Sequence, residues 1–333
     1  MANQIHIAVK SSVLPSGLPL QSAFKKVTST VSVAVFLTAV LCQVASAEDM
    51  DINYLYHLTD FSGALPFNNA KIFADREHHE VYVIDQDLSV KIFNNVGMET
   101  YQFNDDGSLG KIIIDIAVDK DGNILLLSTP FSPGNYYILK CNYRGDLMAT
   151  LELKNIPKNF HANAMIYRDG HLYIADKGNM TVLVMDEHGE IEKNIDLFPL
   201  LGVKKARNEF DISGFSVDKE GDILFTVPVL FHGYRLSPDG KLASFGERGG
   251  GPGKFNIIAG IISDDEGHYF VTDKLKCTVL IFDKDFKFIT QVGYRGFSSP
   301  GGLIIPVEMA YMDKQLYVSS GAHQGISVFG IGQ

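Results

Sequence analysis

Tyr167-Arg-Asp-Gly-His-Leu-Tyr-Ile-Ala-Asp-Lys-Gly-Asn-Met-Thr-Val-Leu-Val-Met-Asp-Glu-His-Gly189 holds the pattern that decides the fold. It reads as a tight Gly turn, a short apolar strand, a polar loop, a second apolar strand and another Gly turn. The first turn recurs as Asp119-Lys-Asp-Gly122, Asp218-Lys-Glu-Gly221 and Asp264-Asp-Glu-Gly267, so its glycines lie 48, 51 and 46 residues apart. The second turn recurs at Gly97, Gly145, Gly189 and Gly240, at intervals of 48, 44 and 51. Two turn series with one shared period mark an internal repeat. The strand after the first turn returns as Val81–Asp85, Ile124–Ser128, Leu172–Asp176, Ile223–Thr226, Tyr269–Asp273 and Leu316–Ser320. No stretch carries sustained helical periodicity.

Six units of four short strands predict an all-β chain, a six-bladed β-propeller of four-stranded antiparallel blades. The last unit has three strands, Val307–Met312, Gln315–Ser320 and Gly325–Gly330, while Ile52–Leu58 stands unpaired near the N-terminus. The N-terminal strand is therefore expected to complete the last blade and close the ring, which removes open sheet edges.

Before residue 48 the reading changes. Lys10, Lys25 and Lys26 precede an apolar run, Val31–Leu41, and then Ala45-Ser-Ala47. That order predicts a secretory signal peptide over residues 1–47, cleaved after Ala47, and a propeller over 48–333. The apolar run falls well short of the roughly 20 residues that cross a bilayer. Cleavage removes three lysines and no acid, so the exported chain is more acidic than the formal −10 of the whole sequence. An acidic surface disfavours nucleic acid and anionic lipid as partners. The chain is expected to be periplasmic or extracellular, with no integral span after cleavage and a protein partner in the cell envelope. Cys141 and Cys277 fall on opposite blades, too far apart for a disulfide.

Tyr173-Ile-Ala-Asp176 with Asn179 and Val182-Leu-Val-Met-Asp186 resembles an NHL repeat, as does Phe270-Val-Thr-Asp273 with Val279-Leu-Ile-Phe-Asp283. The segment Phe245-Gly-Glu-Arg-Gly-Gly-Gly-Pro-Gly-Lys-Phe255 is similar to that family's linker between blades. The resemblance spans residues 48–333 and implies a bacterial exported NHL-type propeller acting as an interaction module. Met180 stands where the family carries a basic residue, which speaks against RNA.

If first strands line the channel, the loops between strands two and three share one face with the connections between blades. On that face the candidate binding residues are His161, Arg207, Phe231, His232, Arg248, Lys254, Phe255, Tyr294, Arg295 and His323, a mix of Arg, aromatic and His suited to recognition. Asp85, Asp176 and Asp273 end second strands and are expected to accept loop N–H groups rather than share an ion. Gly249-Gly-Gly-Pro-Gly-Lys254 is no phosphate loop, since Phe255 stands where Ser or Thr must bind Mg²⁺. The D-x-x-G turns lack the closing Glu of a calcium loop. No C-x-x-C-H motif attaches haem, and no G-x-S-x-G elbow offers a nucleophile. The reading is thus non-catalytic and without cofactor. The alternative is a metal-dependent propeller enzyme, lactonase- or lyase-like. Its axial divalent ion would be held by His161 with Asp115, Asn163 and Glu308, the acids Asp115 and Glu308 being unusual inside apolar first strands.

Overall fold

A computed structural model describes residues 50–61, 68–84, 89–103, 111–130, 135–297, 299–322 and 325–332; the predicted signal peptide lies outside them. Six four-stranded antiparallel sheets form a six-bladed β-propeller. Blade 1 spans residues 71–103, blade 2 111–152, blade 3 164–196, blade 4 215–245 and blade 5 258–292. Blade 6 is Met309–Met312, Gln315–Ser319 and Ile326–Gly332, with Asp51–His57 as its fourth strand, paired antiparallel so that Tyr54 faces Phe329. The N-terminal strand thus closes the ring, as expected from the three-stranded last unit. The first strands of adjacent blades touch in succession around the axis, the sixth returning to the first. Helix is confined, among the described residues, to three single 3-10 turns. None is long and apolar enough to cross a membrane.

The core lies between blades. Side chains alternate across a strand with period two, so a second strand feeds two clusters at once. In blade 2, Ile124 and Leu126 pack toward blade 1, while Leu125 and Leu127 pack toward blade 3. This explains the near-continuous apolar runs. Cys141 packs in the first of these clusters as a free thiol, and burial pushes its pKa up to about 11. Cys277 is also free and buried.

The turn repeat has a hydrogen-bond cause. Asp119 Oδ1 accepts the N–H groups of Asp121 and Asn123 at 3.0 and 2.9 Å, while Gly122 takes a left-handed φ of 78°. Asp218 and Asp264 repeat the arrangement in blades 4 and 5. Blade 3 departs from it. Tyr167 replaces the Asp, and Asp169-Gly170 makes a two-residue hairpin with both φ positive, the conformation that an Asp-Gly pair favours.

Adjacent blades are also joined by buried hydroxyls. Gly214 N–H donates to Thr226 Oγ1 at 2.8 Å, and that hydroxyl donates to Ala259 O of blade 5. Gly260 N–H donates to Thr272 Oγ1 at 2.6 Å, which lies 3.4 Å from Val307 O next to blade 6. Thr226→Val keeps the shape but strands the Gly214 N–H and the Ala259 carbonyl. A loss of about 2 kcal/mol is expected, read as a lower urea midpoint at unchanged slope.

Candidate functional site

Each first strand starts at the face that carries the second-to-third-strand loops, and there the axis holds a charge network. Lys71 opens the first strand of blade 1, Asp115 lies in that of blade 2, and Glu308 immediately precedes that of blade 6. Lys71 Nζ is 3.1 Å from Glu308 Oε1 and 3.8 Å from Asp115 Oδ2. The three side chains are 26%, 30% and 13% exposed in the order Lys71, Glu308, Asp115, so they are enclosed but reached by channel solvent. Asp115 also accepts the N–H groups of Ile116 at 3.0 Å and Met165 at 2.9 Å, tying blade 2 to blade 3. Lys177 of blade 3 borders the same cavity and donates to Ser213 O.

The charges set each other's protonation. Burial works against the Lys71 charge, but Asp115 and Glu308 outweigh it and hold the ammonium above its usual pKa. Burial raises Asp115, against the pull of Lys71. Burial acts on Glu308 too, yet Lys71 and Lys177 hold it below the usual carboxylate range. Lys177 is lowered by burial and by the neighbouring Lys71. The result is a half-buried cation bridging two carboxylates, with a second lysine beside it.

The structure places the expected metal quartet differently. Asp115 and Glu308 do converge, but on the ammonium of Lys71. Asn163 Oδ1 accepts the Lys177 N–H at 3.1 Å and so fixes a loop. His161 has an exposed side chain, and its backbone N–H donates to Asp176 Oδ2 at 2.7 Å. It does not gather with the two acids: among the described residues, Asp264, Glu266 and His268 form the one group of three His or carboxylate ligand atoms lying within 4.8 Å of one another. That group lies at the far end of blade 5. It is built on a His268–Asp264 contact of 2.7 Å that His78 and Asp75 repeat in blade 1. Asp176 and Asp273 bind loop N–H groups, as expected: Asp176 those of His161 and Asn179, Asp273 those of Asn256, Ile257, Leu275 and Lys276. Asp85 and His323 lie outside the described residues.

On the face itself, Arg248 stacks over the Phe231 ring at 5.4 Å, and Arg207 over Phe198 at 4.9 Å while donating to Asn179 O and Asp196. Lys254 pairs with Glu247 at 2.8 Å. His232 Nδ1 is held by Leu230 O. Tyr294 hydroxyl donates to Pro300 O and Arg295 to Leu275 O. Phe255 is not a face residue. It is fully buried between blades 4 and 5, packing on Phe282 at 5.7 Å. The Gly-rich linker is a scaffold: Lys276 Nζ donates to Gly251 O and Lys254 O at 2.9 and 2.7 Å.

Sequence reasoning missed a row of exposed apolar side chains here. From residue 197 onward, the exposed large apolar residues all sit in connections on this face, among them Val229, Ile257, Leu275, Phe297 and Ile305. Their signal was apolar residues inside loops, where polar ones are usual.

No protein-family profile and no curated protein matches the chain. Solved structures do. A protein of unknown function from Bacteroides thetaiotaomicron aligns with a TM-score of 0.60 at 13% identity, over 85% of this chain and 76% of its own. A catalytically inactive virginiamycin B lyase from Staphylococcus aureus aligns at 0.56 and 11%, over 84% and 99%. A calcium-binding protein, regucalcin, from Agrobacterium tumefaciens aligns at 0.55 and 15%, over 83% and 95%. What they share with this chain at such identities is the propeller fold.

Proposed function

We propose that the chain is an exported, non-catalytic propeller of the NHL type that binds a protein partner in the bacterial cell envelope, as a recognition or scaffold module. The observation that carries this reading is the Lys71 ammonium set between Asp115 and Glu308, which already pairs with the acids an axial ion would need. The exposed apolar and Arg side chains on the same face supply what a protein interface uses, apolar anchors within a polar rim. The alternative, a metal-dependent hydrolase or lyase, draws on the convergence of Asp115 and Glu308.

Thermal unfolding of the purified protein with added Ca²⁺, Mg²⁺ or Zn²⁺ separates the two. An ion that binds only the native state must raise the melting temperature. No shift is expected from any of the three; a shift that disappears in Glu308→Gln would replace the binding reading with the enzyme one. The binding reading itself is tested by cross-linking in the native envelope. A partner captured by the wild type is expected to be lost with Leu275→Glu/Phe297→Glu, and retention of the same partner would remove this face from the interface.

A further inference from the structure

The opposite end of the channel opens among the first hairpin turns into a cavity of about 460 Å³, a size that holds small organic molecules. Phe73, Ile166, Ile262 and Met309 contribute an apolar wall. Most charged groups at its rim are already engaged. Arg76 reaches from blade 1 to Tyr311 O, Ser263 O and Asp265, and lies 5.6 Å over the Tyr311 ring. Lys219 donates to Asp265 O. Asp218 accepts two N–H groups of its turn.

Arg168 is different. A guanidinium has five N–H donors, yet among the described residues this one makes a single hydrogen bond, from Nη2 to Val217 O at 3.3 Å. Its Nε is buried and unpartnered, and so is the hydroxyl of Ser216, the residue before Val217. Both residues line the cavity. Burial, and then the Arg76 charge, lower the pKa of Arg168, against the opposing pull of Asp169, Asp218 and Asp265. Unpaired buried donors cost stability, and two residues lining one cavity each carry such an atom.

We propose that this cavity binds a small organic monocarboxylate, with Arg168 as the anchor of the carboxylate, Ser216 as a second donor, and the apolar wall against the body of the ligand. A carboxylate matches the guanidinium fork. Asp119, Asp169, Asp218 and Asp264 border the same cavity, and their charges disfavour a phosphate dianion. The site lies at the far end of the axis from the proposed protein-binding face and stands independently of it.

The test uses the purified full-length chain, calorimetry and thermal unfolding, with hexanoate, benzoate, the neutral isostere hexanamide, and inorganic phosphate as probes. Hexanoate or benzoate is expected to bind and raise the melting temperature, while hexanamide and phosphate do not. Arg168→Met is expected to weaken carboxylate binding at least about tenfold, the value of one lost charge-assisted contact. Its unliganded melting temperature should stay at or above that of the wild type, because the guanidinium contributes one hydrogen bond to the empty fold. Ser216→Ala should weaken binding with no loss of melting temperature. The proposal is overturned if neither carboxylate binds at 20 mM-scale concentrations, about the weakest useful affinity. It is equally overturned if hexanamide binds as well as hexanoate, or if Arg168→Met binds unchanged or unfolds, which would make Arg168 a structural residue.

Discussion

Lys71→Met is expected to cost about 3–5 kcal/mol at pH 7, because it leaves two carboxylates enclosed in the channel without their cation. Lys71 Nζ is shared between Glu308 at 3.1 Å and Asp115 at 3.8 Å, so one change removes the cation from both acids. The pH dependence has a definite sign. In the wild type, Glu308 titrates below its usual range, so its contribution is present above the unfolded pKa and fades as acid protonates it, while Asp115, already raised by burial, acts in the opposite sense with or without Lys71. Without Lys71, burial dominates both acids and raises their folded pKa values. The folded variant then binds more protons than the unfolded chain, and its stability rises as pH falls. Urea unfolding at pH 7 and pH 5 should therefore show a deficit that shrinks in acid. Adding Asp115→Asn and Glu308→Gln to Lys71→Met should recover much of the loss at pH 7, since neutral amides can still accept hydrogen bonds. A deficit independent of pH would mean that Lys71 acts through its packed stem and not through its charge.

The fold was legible because its determinants are local. The Asp-x-x-Gly turns follow from side chains that accept N–H groups two and four residues ahead, and the strands follow from alternation between two apolar clusters. Ring closure was readable from an unpaired strand near the N-terminus and a last unit one strand short. The charge network was half legible. Asp115 and Glu308 stand out as acids in or beside apolar inner strands, but their partner Lys71 lies on another blade, and pairing across the axis exists only once the ring has closed. Phe255 was misplaced for a local reason. It follows a Gly-rich run that reads as exposed loop, yet a Cβ on Gly246 would lie 2.4 Å from its ring, so the bare glycine backbone admits Phe255 to the core. Arg168 gave no warning at all. An arginine beside a hairpin turn is ordinarily solvated, and the burial of its unpartnered Nε is a property of the assembled mouth. Nor does a strand pattern show where two inner strands approach too closely for a side chain.

Gly260→Ala tests that approach. A Cβ at Gly260 would sit 2.1 Å from Val307 O and 3.2 Å from Thr272 Oγ1. The first of these is backbone, held where Val307 N–H donates to Ser319 O at 3.0 Å, and it cannot turn aside as a flexible side chain would. Relief requires the start of blade 6 to move away from blade 5. That motion would break the Gly260–Thr272–Val307 relay and displace Glu308, the next residue, from Lys71. Overpacking alone costs roughly 1–3 kcal/mol, and the broken relay and displaced ion pair bring the expected loss to about 4 kcal/mol or more. Gly250 provides the control, because a Cβ there meets nothing within 4 Å and its φ is not left-handed. Gly250→Ala should therefore unfold within about 0.5 kcal/mol of the wild type, as surface changes usually do. If Gly260→Ala were as stable as Gly250→Ala, blades 5 and 6 would have to be free to separate at the axis, and the Lys71–Glu308 contact could not be a fixed part of the fold.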